Sequence, residues 1–308
     1  MSFEVLKPGV LSLIQDFGRY GWQQLGYTQG GPMDEHAFLW ANRLLGNRPD
    51  APQIEITYGG LELRVIGRTM AAVTGADLNA TLNGEPLQHW FSFPLQTGDR
   101  LFFSHPRNGL RAYLAVRGGL TIPVTMGSCA TVMRERVGGL DGKGGKLQQG
   151  DTLPWYEQER SRPQGVPWRF VPDYTATLTM RLIAGYQHRH FPPKALHRLY
   201  SESYRVSQKI DRMGYCLSGA PIECPLDGIV SEGISYGAVQ IPSDGQPIVL
   251  LKDRQTIGGY PKLGCIAALD AGKLAQRMSG ATVRFTPARL PEVTAERLRF
   301  YKFFGVTC

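Results

Sequence analysis

Hydrophobic and polar positions alternate in short runs along most of this 308-residue chain. The runs IEITYGGLELRVIG (54–67), TMAAVTGADLNATLNG (69–84), GDRLFFS (98–104) and LRAYLAVRGG (110–119) occupy the first half. TLTMRLIAG (177–185), YGAVQIP (236–242), PIVLLKD (247–253) and ATVRFTP (281–287) occupy the second. Each is rich in Val, Thr, Tyr, Phe or Ile and bounded by turn residues, which predicts strands. Helical spacing is found in three segments: MDEHAFLWANRLLGN (33–47), with Asp34 near its start and Gly46 near its end, DAGKLAQRMSG (270–280) and TAERLRFYKFFG (294–305). The pattern predicts a mainly β protein with a few short helices.

The 37 glycines and 21 prolines reinforce this, because both residues cut regular structure into short pieces. The polar, proline-bearing stretch YEQERSRPQGVPWR (156–169) is the expected boundary, giving domains over 1–162 and 163–308. Sliding one half on the other by about 177 positions, with small shifts that take the offset to 182 at the last, gives four matches in order, which predicts an internal duplication. GGPMDEHAF (30–38) falls on SQKIDRMGY (207–215), with Asp34 opposite Asp211. ITYGGLEL (56–63) meets ISYGAVQI (234–241), VTGADLN (73–79) meets LLKDRQT (250–256), and GDRLFF (98–103) meets GATVRF (280–285). The third match sets Asp77 opposite Asp253 at equivalent strand ends.

Composition narrows the function classes. With 42% hydrophobic and 19% charged residues the chain can build packed domains and contains no disordered tract. Glu4, Lys7 and Asp16 interrupt the region where a secretory signal needs an apolar run, so a cytoplasmic location is expected. No run approaches the roughly 18 to 20 apolar residues of a membrane-spanning helix, and no membrane role is expected. The net charge of +8 comes from scattered residues without aromatic interleaving, which argues against nucleic acid as a partner. Five cysteines, at 129, 216, 224, 265 and 308, form no C-x-x-C pair. They read as reduced thiols, with Cys216 and Cys265 expected as small core residues.

The common catalytic templates are absent. GGLDGKGGKL (138–147) has the wrong spacing for a phosphate loop and lacks Ser or Thr after a lysine. No dinucleotide fingerprint, HExxH or nucleophile elbow occurs. His188 and His190 have no nearby acid or cysteine, so HRHFPP reads as a surface loop and no metal site is expected. Six polar clusters beside glycines remain: QDFGRYGWQQLG (15–26), GGPMD (30–34), TGAD (74–77), VRGG (116–119), KIDRMGY (209–215) and KDRQTIGGYP (252–261). Glycine lets backbone approach a ligand, and Arg or Lys beside it offers donors to anions; turn chemistry with salt bridges is the alternative.

These clusters, together with GGPMDEHAFLWANRLLGN, IEITYGGLEL, MGSCAT, RMGYCLSG and GAVQIPSDGQPIVLLKDRQTIGGYPKLG, resemble the family of the 5-oxoprolinase C component. That family also takes in allophanate hydrolase subunit 2, KipA-like regulators and part of the carboxyltransferase domain of urea carboxylase. The resemblance runs from about residue 3 to 287. It implies two tandem related cyclophilin-like β-barrel domains. It also implies partners, a KipI-like B component and a separate A component of 5-oxoprolinase, with which 5-oxoproline is cleaved to L-glutamate using ATP. No covalently bound cofactor is implied. A KipA-like regulator binding a kinase inhibitor and a carboxyltransferase-type accessory for urea are the other roles it allows.

A five-membered lactam is a stable amide, and its opening benefits from phosphorylation of the carbonyl oxygen and from donors on the tetrahedral species. By residue type, Asp253 or Asp34 can accept an amide N–H or act as general base. Arg212 or Arg117 can hold the substrate carboxylate, Gln255 can bond the ring amide, Tyr260 and Lys262 can polarise a carbonyl, and Asp77 is a further candidate for binding substrate. Gly258, Gly259 and Pro261 read as the scaffold of the loop, and Asn42 as an anchor of the first helix.

Overall fold

Short strands cut by glycine and proline gather into two units, Met1–Gly21 with Gln29–Tyr174, and Trp22–Thr28 with Thr175–Cys308. The structure is a computed structural model that describes residues 1–158, 162–226 and 228–306. Cys308 lies outside the described residues, as does part of the segment 156–169 expected to separate the halves.

The first unit contains β1 (Ser2–Pro8), β2 (Leu11–Gln15), α1 (Glu35–Leu45), β3 (Gln53–Thr57), β4 (Leu61–Ile66), β5 (Thr69–Asp77) and β6 (Thr81–Leu82). It continues with β7 (Glu85–Pro86), β8 (Phe91–Leu95), β9 (Arg100–Phe102), β10 (Asn108–Val116) and β11 (Thr152–Pro154). They form a six-stranded sheet, β11-β1-β4-β9-β6-β7, and a five-stranded sheet, β2-β3-β10-β5-β8. Side chains from both sheets, among them Phe3, Val5, Ile54, Leu63, Val73, Leu101 and Leu114, make one apolar core. Central strands β5 and β10 are buried on nearly every residue. The sheet explains this: one face meets the core and α1 covers the other, where Phe38 packs edge-on against Tyr113 and Thr74 donates to the Ala37 carbonyl at 2.7 Å.

Helix α1 starts where Asp34 caps it, Oδ1 accepting from the His36 and Ala37 amides, and stops at Gly46 in the left-handed region with φ 67°. Asn42 anchors the return of the chain, its Nδ2 donating to the carbonyls of Pro49 and Ala51.

The second unit is built from β12 (Leu178–Ala184), α2 (Pro193–Ser201), β13 (Ser203–Ile210), β14 (Gly214–Ser218), β15 (Glu232–Gly233) and β16 (Ala238–Gln240). β17 (Ile248–Leu250), β18 (Ile257–Gly258), β19 (Lys262–Ile266), α3 (Ala268–Leu274), β20 (Thr282–Ala288) and α4 (Leu290–Phe304) complete it. Seven strands close a barrel in the order β12-β19-β16-β17-β14-β13-β20, with β12 and β20 pairing in parallel and the other neighbours antiparallel. β15 and β18 form a separate two-stranded ribbon.

Some expectations are corrected. Residues 186–190 form a 3-10 turn followed by α2, where sequence reading expects only a loop. That helix is short, opens on proline and buries only Ala195 and Leu199, so its apolar period is faint. The first duplication match pairs helix α1 with the β13–β14 hairpin, so it does not equate like elements. The shared aspartate explains the likeness: Asp34 caps a helix, while Asp211 Oδ1 accepts from Met213 and Gly214 and caps a turn. Cys216 and Cys265 are only partly buried: Cys216 alternates with the inward Tyr215 and Leu217, while Cys265 packs from the edge against the apolar cluster of Ile234, Ala238 and Leu250.

Candidate amide-binding cleft

The pleat of the barrel decides what its outer face carries. In β14, β16 and β17 the side chains of Tyr215, Leu217, Val239 and Val249 are fully buried and point inward. Their neighbours Gly214, Cys216, Gln240, Ile248 and Leu250 therefore lie on the opposite face. Cross-strand pairing aligns Cys216 with Ile248, Ile248 with Gln240, and Gln240 with Lys262 in one row. Over this row runs the chain from the ribbon β15–β18, which brings Gln255 and Tyr260 to the mouth of a cleft of about 390 Å³. Gln208, Lys209, Asp211 and Met213, at the β13–β14 turn, form its other wall.

Gln240 is 2% exposed, and its amide nitrogen Nε2 has no hydrogen-bond partner among the described residues. An unmatched buried donor costs roughly 1–3 kcal/mol, so such a group marks a place where an acceptor belongs. Gly258 makes room beside it. A Cβ at that position would lie 3.1 Å from Gln240 Nε2, 3.2 Å from Gln255 Nε2 and 2.5 Å from Ile234 Cδ1. Two carboxamides thus converge on one glycine. Burial pushes the Cys216 thiol above its ordinary range, so it is not prepared as a thiolate nucleophile.

The loop after β17 holds three consecutive buried charges, Lys252, Asp253 and Arg254. Each has a different compensation. Lys252 Nζ lies 4.7 Å from the centre of the Tyr236 ring. Asp253 receives Nε and Nη2 of Arg212 at 2.8 and 2.9 Å. Arg254 donates Nε to the Ile234 carbonyl and Nη1 to that of Leu251. Thr28 Oγ1 donates to the carbonyls of Lys252 and Arg254, which fastens the Trp22–Thr28 excursion to this loop.

A neighbouring cleft of about 290 Å³ contains Tyr186, Gln187, Glu232, Lys262 and Cys265. Lys262 Nζ contacts Glu232 Oε1 at 2.5 Å and donates to the Gly233 carbonyl at 3.0 Å. Tyr186 and Gln187 also donate to Glu232. This network latches β15 to the barrel wall, because Glu232 is on the ribbon and Lys262 on β19.

Residues 25–287 match the family described as carboxyltransferase domain, subdomain A and B. The chain belongs to this carboxyltransferase-domain family. It is 34% identical to the C component of Escherichia coli 5-oxoprolinase over 98% of this chain and 96% of that protein. The Haemophilus influenzae protein of the same name is 33% identical over 96% of this chain and 94% of its own length. The solved K. lactis urea amidolyase superposes with a TM-score of 0.91 at 26% identity, covering 98% of this chain and 20% of that one. The carboxyltransferase-domain chain is thus homologous to both, and matches the 5-oxoprolinase component end to end but only one fifth of the amidolyase.

Within this family member the residues expected to form a site fall into separate places. Gln255 and Tyr260 meet in the amide cleft. Arg212 and Asp253, expected as carboxylate receptor and base, are each other's partners in a bidentate pair that occupies Nε and Nη2 of the guanidinium. Lys262, expected to polarise a carbonyl, is paired with Glu232 in the neighbouring cleft. Asp34, Asp77 and Arg117 lie in the first unit. Asp34 is buried as the α1 cap, with Oδ2 accepting from the Tyr174 hydroxyl at 2.8 Å. Asp77 Oδ1 meets His89 Nε2 at 2.9 Å and also accepts from the Asn79 amide. The Arg117 amide donates to the Met70 carbonyl just past β10.

Residue type alone does not single out Gln240 or Arg254. The signal for Gln240 is a lone amide within YGAVQIP, a strand otherwise apolar; Arg254 is one of several polar residues in a single segment and has no local mark that separates it from them.

Proposed function

We propose that this chain is the lactam-binding component of an ATP-dependent 5-oxoprolinase, acting with a KipI-like B component and an A component to convert 5-oxoproline to L-glutamate. The observation that carries the reading is the end-to-end likeness to the 5-oxoprolinase C component. The amide cleft supports it. A lactam presents one N–H and one C=O on the same edge, and a carboxamide complements that edge, donating from its nitrogen and accepting at its oxygen. Gln240 Nε2 is the donor for the lactam oxygen, and Gln255, on the other side of Gly258, is the second amide.

The chemistry follows from that placement. Water adds to the carbonyl carbon, the ring C–N bond breaks, and the nitrogen gains a proton and leaves as the amine of glutamate. Negative charge grows on the carbonyl oxygen during the addition, and a donor already fixed in a desolvated position stabilises it most. Tyr260, which lines the same cleft, is the hydroxyl assigned to protonate the departing nitrogen. ATP is used by the assembled complex; residues 138–147 of this chain pass through β-bridges and turns into no helix, and so offer no helix N-terminus to cradle its phosphates.

The finer fold belongs to the same proposal, a cyclophilin-like barrel in each of two related halves meeting near residues 156–169. Superposing residues 30–104 on 207–286 tests it. Urea is the second substrate reading, favoured by the K. lactis amidolyase likeness and by a cleft whose paired carboxamides suit a ureido group. One assay addresses both: the purified A and B components and this chain are mixed with ATP and either 5-oxoproline or urea. Glutamate is expected only when all three proteins and 5-oxoproline are present. Absence of glutamate, where a three-component set from another organism turns over, sinks the reading; relief of a kinase inhibitor without turnover would replace it with a regulatory role.

A further inference from the structure

The loop that supplies Gln255 also carries a cation that the amide cleft leaves unused. Arg254 is 6% exposed, and two of its guanidinium nitrogens are committed, Nε at 3.0 Å and Nη1 at 3.2 Å from backbone carbonyls. It forms no ion pair among the described residues, because the adjacent carboxylate, Asp253, is held by Arg212. The Tyr236 ring, 5.9 Å away, is a weak counterweight. Burial pulls the Arg254 pKa below the ordinary guanidinium value, as expected of a cation short of compensation.

Arg254 lines a cleft of about 440 Å³ together with Gln23, Gln24, Thr28, Ser235, Gln255 and Thr256. Its walls offer amides, hydroxyls and one guanidinium and, among the described residues, no carboxylate. The position is built, since Thr28 fixes the Arg254 carbonyl at 2.8 Å while the two bonds above fix the guanidinium. Gln255 lines this cleft and the amide cleft alike, so the two adjoin across one side chain.

We infer that the Arg254 cleft is an oxyanion subsite, and that it holds the carboxylate of the lactam substrate while the ring amide lies between Gln240 and Gln255. The choice of a carboxylate rests on the lactam reading; the preference for an oxyanion does not. A phosphate group has the same chemistry, and the test separates the two.

Isothermal titration of the full-length chain is carried out with 5-oxoproline, with 2-pyrrolidinone, which is the same lactam without a carboxylate, and with inorganic phosphate. The wild type is expected to bind 5-oxoproline at least about tenfold more tightly than 2-pyrrolidinone, the scale of a charge-assisted contact. Phosphate is expected to compete. Arg254→Gln should remove that advantage while changing 2-pyrrolidinone affinity less than about twofold. Thr256→Val leaves the buried guanidinium in place and should weaken 5-oxoproline roughly threefold, so it carries the test if Arg254→Gln does not fold. Phosphate binding that depends on Arg254 but does not compete with 5-oxoproline would overturn the carboxylate assignment. Phosphate binding of that kind with neither lactam bound would end the lactam reading and leave the oxyanion subsite standing. Equal losses of both lactams in Arg254→Gln, no binding of any probe by the wild type, or unchanged 5-oxoproline and phosphate affinity in the variants would overturn the subsite.

Discussion

The guanidinium of Arg212 grips Asp253 at both ends, and the Asp253 amide returns a bond of 2.9 Å to the Arg212 carbonyl. Two residues 41 positions apart thereby tie the loop after β17 to the turn between β13 and β14, the two walls of the amide cleft. The side chains are 6% and 10% exposed, so the pair is desolvated as well as bidentate.

Removing one partner leaves the other charge buried. Asp253→Ala is expected to destabilise the chain by about 3–5 kcal/mol, and Arg212→Met combined with it to recover part of that loss. Urea unfolding of the full chain measures both. An Asp253→Ala chain of unchanged stability but without turnover in the reconstituted assembly would instead place Asp253 on the substrate.

Gln240 tests the cleft from the opposite direction. Gln240→Met keeps the volume and removes the unmatched donor, so stability should hold or rise by about 1 kcal/mol while lactam affinity falls at least about tenfold. A joint loss of stability and binding would show that the amide has a structural partner.

At Gly258 the question is space. Gly258→Ala puts a methyl between the two carboxamides and against Ile234, which should cost roughly 1–3 kcal/mol of stability by crowding and abolish lactam binding. Gly145 lines neither cleft and a Cβ there would meet nothing closer than 3.6 Å, so Gly145→Ala is the matched control and should bind normally.

Asp34 should behave as a cap. Asp34→Ala is expected to lose about 0.5–2 kcal/mol from the α1 N-terminus, and more because Tyr174 loses its acceptor. Asp34→Asn, which keeps the capping oxygen, should recover most of the loss and retain turnover. A folded Asp34→Asn chain without turnover would restore Asp34 as a base.

His89 gives stability a pH dependence. Burial lowers its pKa below 6.5, against the opposing pull of Asp77, so the unfolded chain takes up its proton first. Its contribution is complete above the unfolded value near 6.5 and is lost as pH falls from there through the lower folded value. Unfolding free energies at pH 8 and pH 5 should differ less in His89→Gln than in the wild type.

The strands from 54 to 119, the existence of three helices, the two caps of α1 and the mostly β class are legible in the sequence because they rest on local periods and local stop signals; the helix expected over 270–280 instead spans Ala268–Leu274 and ends at Ala275, without a glycine stop. α2, β13 and β14 are not, since each depends on packing for its few buried positions. The same limit applies to the site. KDRQTIGGYPKLG marks the right loop and brings Gln255 and Tyr260 forward as neighbours. It does not say that Asp253 faces Arg212 or that Lys262 faces Glu232, because partners brought together by barrel closure leave no mark in residue type.

Alternation by itself determined which side of β16 and β17 turns away from the barrel interior, and the glycines determined where the chain can turn. Tertiary structure decided which outward residues are covered. Gln240 reads as an ordinary solvent-facing amide until the ribbon β15–β18 and its loop close over it, and only then does its nitrogen become a buried donor without an acceptor among the described residues. Arg254 changes in the same way, from a loop cation to a desolvated one. Solvation is a property of everything that surrounds a group, and for both residues those surroundings come from segments far away in the chain.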